Sequence, residues 1–362
     1  MKIKKNNFIF LSFIFAVLLF SSCRSKKCYE TSFQAMDTVM TIKVWSTNRN
    51  IALRALEESK KKITDLEKQL SVNIPKSTVY LINHQENYPF SIEISDDFAD
   101  LIRKSIHMSE ISDGNFNICL YPVTSLWGFT TDNPHVPEKS LIDEVLPACN
   151  RDNISLIEPG DRWGNLRGID YEGNCDLIVM NGSKFDFGGI AKGYAGDEVL
   201  KILKDFKIEN AIIDLGGNIQ TLGRRYDETA WKIGIKDPEE PEKIICSVEV
   251  INKAVITSAG YERYFTDEYG KKYPHIFDSK TGYPAESDIL SATIISKDGY
   301  YGDALSTAFY VMGSEKAYKL WQKQKDFDFI IITNDKEIFI SENLEKMVKV
   351  SEASDYYFRT LP

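Results

Sequence analysis

The chain has 362 residues, a net charge of −9, 43% hydrophobic and 12% aromatic residues, four histidines and six cysteines. The acidic balance and the lack of a sustained basic run argue against a nucleic-acid partner, and histidines and cysteines this scattered exclude an ordinary zinc site. The apolar content is enough to fill the core of one large domain or two intimate ones.

Lys2, Lys4 and Lys5 precede Phe8–Phe20, a run broken only by Ser12. As a helix it reaches about 20 Å, short of the roughly 30 Å hydrocarbon core, so a cleaved export signal over 1–22 is expected. Leu19-Phe20-Ser21-Ser22-Cys23 resembles a bacterial lipoprotein box, with Phe20 where leucine is commoner. Cys23 is then the lipidation site, and 23–30 a tether.

Phe33–Trp45 alternates as a strand. Ala52–Leu70 places Ala52, Leu56, Ile63, Leu66 and Leu70 on one helical stripe, with Lys60, Lys61 and Lys62 on the solvated side. Ser95 reads as the N-cap of a helix with Phe98, Leu101, Ile102, Ile106 and Ile111 inward, ending by Gly114. Pro134, Pro137 and Pro147 mark 130–147 as a surface excursion before a short helix near Leu141. Asp176–Val179 is a strand turned at Asn181-Gly182, and Gly188-Gly189 opens a helix running to Phe206. Strands follow at Ala211–Leu215, Trp231–Ile235, Ile244–Ile251, Ala254–Ser258 and Ser291–Ser296. Helices at Gly302–Met312 and Ser314–Lys323 precede a hairpin, Phe327–Thr333 and Glu337–Ser341, turning at Asn334-Asp335-Lys336. Elements in blocks rather than strict alternation indicate an α+β domain over 31–350, with a tail at 351–362.

Two segments carry the chemistry. Phe-Asp186-Phe-Gly188-Gly189-Ile-Ala-Lys192-Gly193 offers backbone amides at a helix start, where an anion is favoured. Lys192 in the first turns is unfavourable to the helix dipole unless an anion binds there. Gly-Asp303-Ala-Leu-Ser306-Thr307 sets a carboxylate and hydroxyls on one helical face, a hard-oxygen set that favours magnesium over zinc. Asp186 itself would repel phosphate and is expected to accept from a ligand N–H or hydroxyl, while Gly189 can offer its carbonyl to a metal. Asp214-Leu-Gly216-Gly217-Asn218 is a strand ending in a glycine turn, equally a bend or a pocket lining. His275 is a candidate base oriented by Asp278. Leu126-Trp127-Gly128-Phe129 is core by default or a stacking platform for a planar ligand.

Taken jointly and in order, Met36-Asp37-Thr38, Leu126–Phe129, Asp186–Gly193, Gly216–Asn218, Gly260–Arg263, His275–Pro284 and Asp303–Gly313 resemble the ApbE family of flavin transferases (FAD:protein FMN transferases). The resemblance implies antiparallel sheets with packed helices and a site between two intimate subdomains. It implies FAD as substrate, Mg2+ at the pyrophosphate, and transfer of FMN to a Thr or Ser hydroxyl with release of AMP. Acceptors would be subunits of Nqr- and Rnf-like redox complexes, and the enzyme would be lipid-anchored on the periplasmic side of the inner membrane. By position the metal ligands would be Gly189, Asp303 and Thr307, with Ser306 beside them. FAD would contact Met36, Leu126, Trp127, Gly128, Asp186, Lys192 and Phe277. His275, Asp303 and Lys192 would serve catalysis. One departure stands out: Leu70-Ser71-Val72-Asn73 puts Asn73 where the family often has tyrosine. Asn73 is expected to border the ligand and admit a second cation or a water, adding FAD hydrolysis to FMN and AMP. An exported lipoprotein that only captures FAD is the competing reading, disfavoured by Lys192 and the Asp303/Thr307 pair.

Overall fold

The structure is a computed structural model describing residues 25–129, 131, 133–157, 175–351 and 355–362. The export signal at 1–22 and Cys23 lie outside the described residues. No described helix is long and apolar enough to cross a membrane.

Nine strands form one sheet whose spatial order is their chain order. They are β1 (Lys27–Ala35), β2 (Thr38–Ser46), β3 (Asn210–Leu215), β4 (Asn218–Leu222), β5 (Ala254–Ala259), β6 (Ile289–Ser296), β7 (Asp328–Thr333), β8 (Glu337–Ser341) and β9 (Tyr357–Leu361). Neighbours run antiparallel up to β8, and β9 lies parallel to it. Five longer helices are α1 (Arg49–Leu70), α2 (Asp96–Ile111), α3 (Ala191–Asp205), α4 (Gly299–Met312) and α5 (Ser314–Gln324). The α+β expectation holds.

The single strand expected over Phe33–Trp45 is instead the β1–β2 hairpin. Met36 and Asp37 take φ of 47° and 59°, the left-handed pair that a two-residue turn between twisted strands requires. β1 begins at Lys27, so much of the segment expected as tether is sheet edge. The expected tail likewise supplies β9.

One sheet face packs on the helices. The α1 stripe buries Ala52, Ala55, Leu56, Ile63, Leu66 and Leu70, and each fully buried large aliphatic contributes about 1.5–3 kcal/mol. Asn48 caps α1 by accepting from Asn50 and Ile51 N–H, and Ser95 caps α2 through Phe98 N–H. The opposite face buries Val255, Ile295, Ile330, Ile332, Ile338 and Ile340 against a smaller sheet of Trp231–Lys236, Ile244–Val250 and Val348–Val350. Burial on both faces explains the unbroken Phe329-Ile330-Ile331-Ile332, in which Phe329 and Ile331 face the helices. A third cluster gathers Val123, Trp127, Phe129, Ile142, Cys149 and Phe277. It involves the short helices Tyr121–Leu126 and Lys139–Val145 and the hairpin Tyr264–Thr266/Lys272–Pro274.

α3 and α4 cross where glycine is required. A Cβ on Gly193 would lie 2.6 Å from the Gly299 carbonyl carbon and 2.7 Å from Asp303 Cβ. Asp197 of α3 reaches across this crossing to cap α4, accepting from Gly299 N–H (2.6 Å) and Tyr300 N–H (2.9 Å). Burial pushes its carboxyl up to about 7 against those two donors.

Candidate active site

The glycine pair is expected to leave helix-start amides for a phosphate, but most already have partners. Gly188 N–H donates to Asp186 Oδ1 (2.8 Å), and Ile190 and Ala191 N–H donate to the Phe187 carbonyl (3.0 and 2.9 Å). Gly193 N–H donates to Asp303 Oδ2 at 2.8 Å. The anion at this helix start is therefore Asp303 of α4, with the positive end of the α3 dipole behind it. That corrects the amide-cradle expectation. It also accounts for Lys192 in the first turn, because the lysine acts electrostatically on Asp303, Glu262 and His275. Asp303 is only 5% exposed, and burial raises its carboxyl against the pull of Lys192 and the Gly193 amide.

Asp303 Oδ1 makes no hydrogen bond among the described residues, and three hydroxyls gather beside the next turn of α4. Ser258 Oγ lies 2.8 Å from Ser306 Oγ and 3.3 Å from Thr307 Oγ1, and Ser306 Oγ donates to the Asp303 carbonyl at 2.8 Å. A Cβ on Gly189 would sit 3.1 Å from Thr307 Oγ1, so the Gly189 backbone abuts the threonine directly. Gly189, Asp303, Ser306 and Thr307 thus converge from two elements more than a hundred positions apart. No three His, Cys, Asp or Glu side chains converge among the described residues. The donors here are one carboxylate, hydroxyls and a carbonyl, a low-charge set suited to a hard divalent cation that keeps water and phosphate oxygens as further ligands.

His275 follows the Lys272–Pro274 strand. Its ring Nδ1 lies 2.9 Å from the Arg263 carbonyl, whose oxygen also accepts the His275 N–H at 3.1 Å. The orienting group is thus a backbone carbonyl, not Asp278 as expected. Asp278 instead closes the following turn, through Lys280 N–H to its Oδ1 and Gly282 N–H to its carbonyl. A carbonyl can only accept, so Nδ1 carries the proton and Nε2 keeps its lone pair. The ring is half-buried by area, yet loss of water is the largest cause lowering its pKa to about 4, with Arg263 and Lys192 adding to it. The base form therefore exists at all pH above about 4. A proton NMR titration is expected to show the His275 midpoint near 4, and a midpoint at 6.5 would contradict this environment.

Asp186 is held on the far side of the glycine turn. Thr124 Oγ1 donates to its Oδ2 at 3.2 Å, leaving lone pairs for a ligand donor. Sequence reading missed the clamp on this segment: Asn83 donates Nδ2–H to the Phe185 carbonyl (2.8 Å) and accepts Phe185 N–H on Oδ1 (2.7 Å). Nothing in the local sequence signals this contact across 102 positions. Met36, in the β1–β2 turn, is fixed by its N–H donating to Glu67 Oε1 at 2.6 Å. Gly216 packs on that turn, since its Cβ would lie 2.6 Å from Thr38 Cγ2.

Three expected flavin contacts change character. Trp127 is fully buried, its ring packed on Phe265, Tyr273, Phe277 and Tyr283, and its Nε1–H donates to the Gly282 carbonyl at 3.0 Å. Phe277 is buried in the same cluster. Both rings are core because the aromatic cluster needs them as filling, so a stacking platform made of these faces is not present. Leu126 is half-buried and the Gly128 backbone lies at φ 73°. Asn73 is exposed in the turn after α1, where its N–H donates to Ser71 Oγ at 3.1 Å. No hydrogen bond ties its side chain to the site among the described residues.

The family model for the ApbE family matches residues 36–331. The chain is 31% identical over 318 residues to the FAD:protein FMN transferase of Klebsiella pneumoniae strain 342, covering 87% of this chain and 92% of that protein. It is 30% identical over 336 residues to the FAD:protein FMN transferase of Treponema pallidum strain Nichols, covering 90% of each. The crystal structure of the ApbE protein from Thermotoga maritima superposes with a TM-score of 0.78 at 31% identity, covering 89% of this chain and 99% of that one.

Proposed function

Since the chain belongs to the ApbE family, we propose that it transfers FMN from FAD to a Thr or Ser hydroxyl of an acceptor protein and releases AMP. The observation that carries this reading is the convergence of Asp303, Ser306 and Thr307 with Gly189 and Lys192, with His275 within electrostatic range of the same lysine.

Gly189, Asp303, Ser306 and Thr307 would hold Mg2+, which supplies charge neutralisation at the pyrophosphate and activates its AMP phosphate as a leaving group. Lys192 adds fixed positive charge where the bridging oxygen becomes negative. The acceptor oxygen bonds to the FMN phosphorus as the bond from that phosphorus to the bridging oxygen breaks. Its proton goes to Nε2 of His275, whose ring the Arg263 carbonyl keeps in the required tautomer. Asp186 would accept from a flavin N–H or hydroxyl. Met36, Leu126 and Gly128 would line the remainder, Trp127 and Phe277 supporting them from the core. Water in place of the acceptor gives FMN and AMP, a branch to which the exposed Asn73 would contribute. An export signal, lipid on Cys23 and a periplasmic inner-membrane location, supported by the sequence of the first 23 residues, complete the proposal, with Nqr/Rnf-like acceptors following from the family resemblance.

Incubation with FAD, Mg2+ and an acceptor fragment, followed by mass spectrometry, tests it. FMN mass added to the acceptor is the expected result. FMN and AMP with unmodified acceptor would make the protein a hydrolase, and unchanged FAD would leave only capture.

A further inference from the structure

Asn218 is 2% exposed, and both polar atoms of its side chain, Nδ2 and Oδ1, lack any hydrogen-bond partner among the described residues. A buried carboxamide with neither end satisfied is costly, and native proteins keep few of them. Its position says what it faces. Asn218 opens β4 directly after the Gly216-Gly217 turn and pairs with Ile256 of β5. Two residues further along the same face, Gln220 donates Nε2–H to the Gly193 carbonyl at 2.9 Å, beneath the α3 start. Two residues beyond Ile256 on the same face, Ser258 bonds Ser306 and Thr307. A Cβ on Gly302 would lie 3.3 Å from Ile256 Cδ1, which sets the adjoining turn of α4 over this pair. Asn218 therefore lies under the junction where Gly193 meets Asp303, on the floor of the hydroxyl cluster.

The turn before it is made of two glycines. Gly216 and Gly217 both have positive φ, and no described residue lies within 4 Å of where a Gly217 Cβ would stand. Asp214 Oδ1 accepts Gly217 N–H at 2.9 Å, so a carboxylate tethers the turn.

Resting on the cation reading above, we propose that Asn218 is a positioning residue of that site, its carboxamide engaged only when cation and diphosphate are bound. Nδ2–H donates to the Asp303 carboxylate, and Oδ1 accepts from a hydration water of the cation. An amide supplies both with no added charge, and carboxylates that ligate metals are characteristically held by such outer groups. Gln220, whose Oε1 is also buried without a partner, stays committed to Gly193.

The test is Mg2+ binding to the FAD-loaded protein by calorimetry, beside the melting temperature of the unliganded protein. Asn218→Leu and Asn218→Ala are expected to weaken Mg2+ by about 10–100-fold. The leucine variant should melt no lower than the native chain, because an unsatisfied amide is removed at similar volume. Unchanged Mg2+ affinity in either folded variant, together with a lowered melting temperature, would make Asn218 merely structural and overturn the inference. Asp303→Ala separates the two levels: if it too leaves Mg2+ affinity intact, the cation site itself is wrong. If only the Asn218 variants are silent, the cation site stands and this role for Asn218 falls.

Discussion

Asp303→Asn is expected to remove FMN transfer by roughly 10³-fold or more while leaving the fold intact, the loss typical when a charge-stabilising group is taken from a phosphoryl-transfer site. Two roles meet in this carboxylate, and the amide separates them. Oδ2 accepts Gly193 N–H across the α3–α4 crossing, and an asparagine oxygen can make that same hydrogen bond. The negative charge is what a cation would need, and the amide lacks it. Burial already opposes the charge, raising the carboxyl above its ordinary range. Neutralising it therefore should not lower the melting temperature, and can raise it. Asp303→Ala confounds the roles by also removing the cap, so its melting temperature should fall. Full transfer activity in the asparagine variant, or equal melting losses in both, would rule out this division.

How far the sequence exposed the site follows from which contacts are local. Asp303, Ser306 and Thr307 share a helical face by periodicity alone, and the structure keeps them together. Lys192 beside a glycine-rich helix start calls for an anion, and the Asp303 side chain of α4 stands there, taking the Gly193 amide expected to be open to phosphate. Sequence shows that a donor exists, not whether the fold has already used it. Asn83 on Phe185, Asp197 on α4 and Arg263 on His275 escaped for the same reason: each joins segments with no local signature. Trp127 is ambiguous because core and flavin platform both take aromatics, and Phe277, a flavin contact by resemblance alone, fills the same core; only neighbours decide. β1 and β2 were read as one strand because a two-residue turn with Met36 and Asp37 at positive φ carries no glycine or asparagine to announce it.

Gly193→Ala is expected to destabilise the α3–α4 crossing strongly. The added Cβ meets backbone, the Gly299 carbonyl carbon at 2.6 Å, and Asp303 Cβ at 2.7 Å, so no side-chain rotation relieves it. α3 and α4 must separate, and overpacking of this kind costs about 1–3 kcal/mol or more. For a chain of this size that is a fall in melting temperature of about 1–2 °C per kcal/mol, read by calorimetry. Three ties pass through the same crossing: Gly193 N–H to Asp303, Gln220 Nε2–H to the Gly193 carbonyl, and Asp197 to the first amides of α4. Separation lengthens all three and moves Asp303 away from Gly189 and Lys192. Activity should then fall much further than the folded fraction does. An alanine variant that melts like the native protein would mean the helices do not touch at Gly193, and the pairing of Asp303 with the start of α3 would go with it.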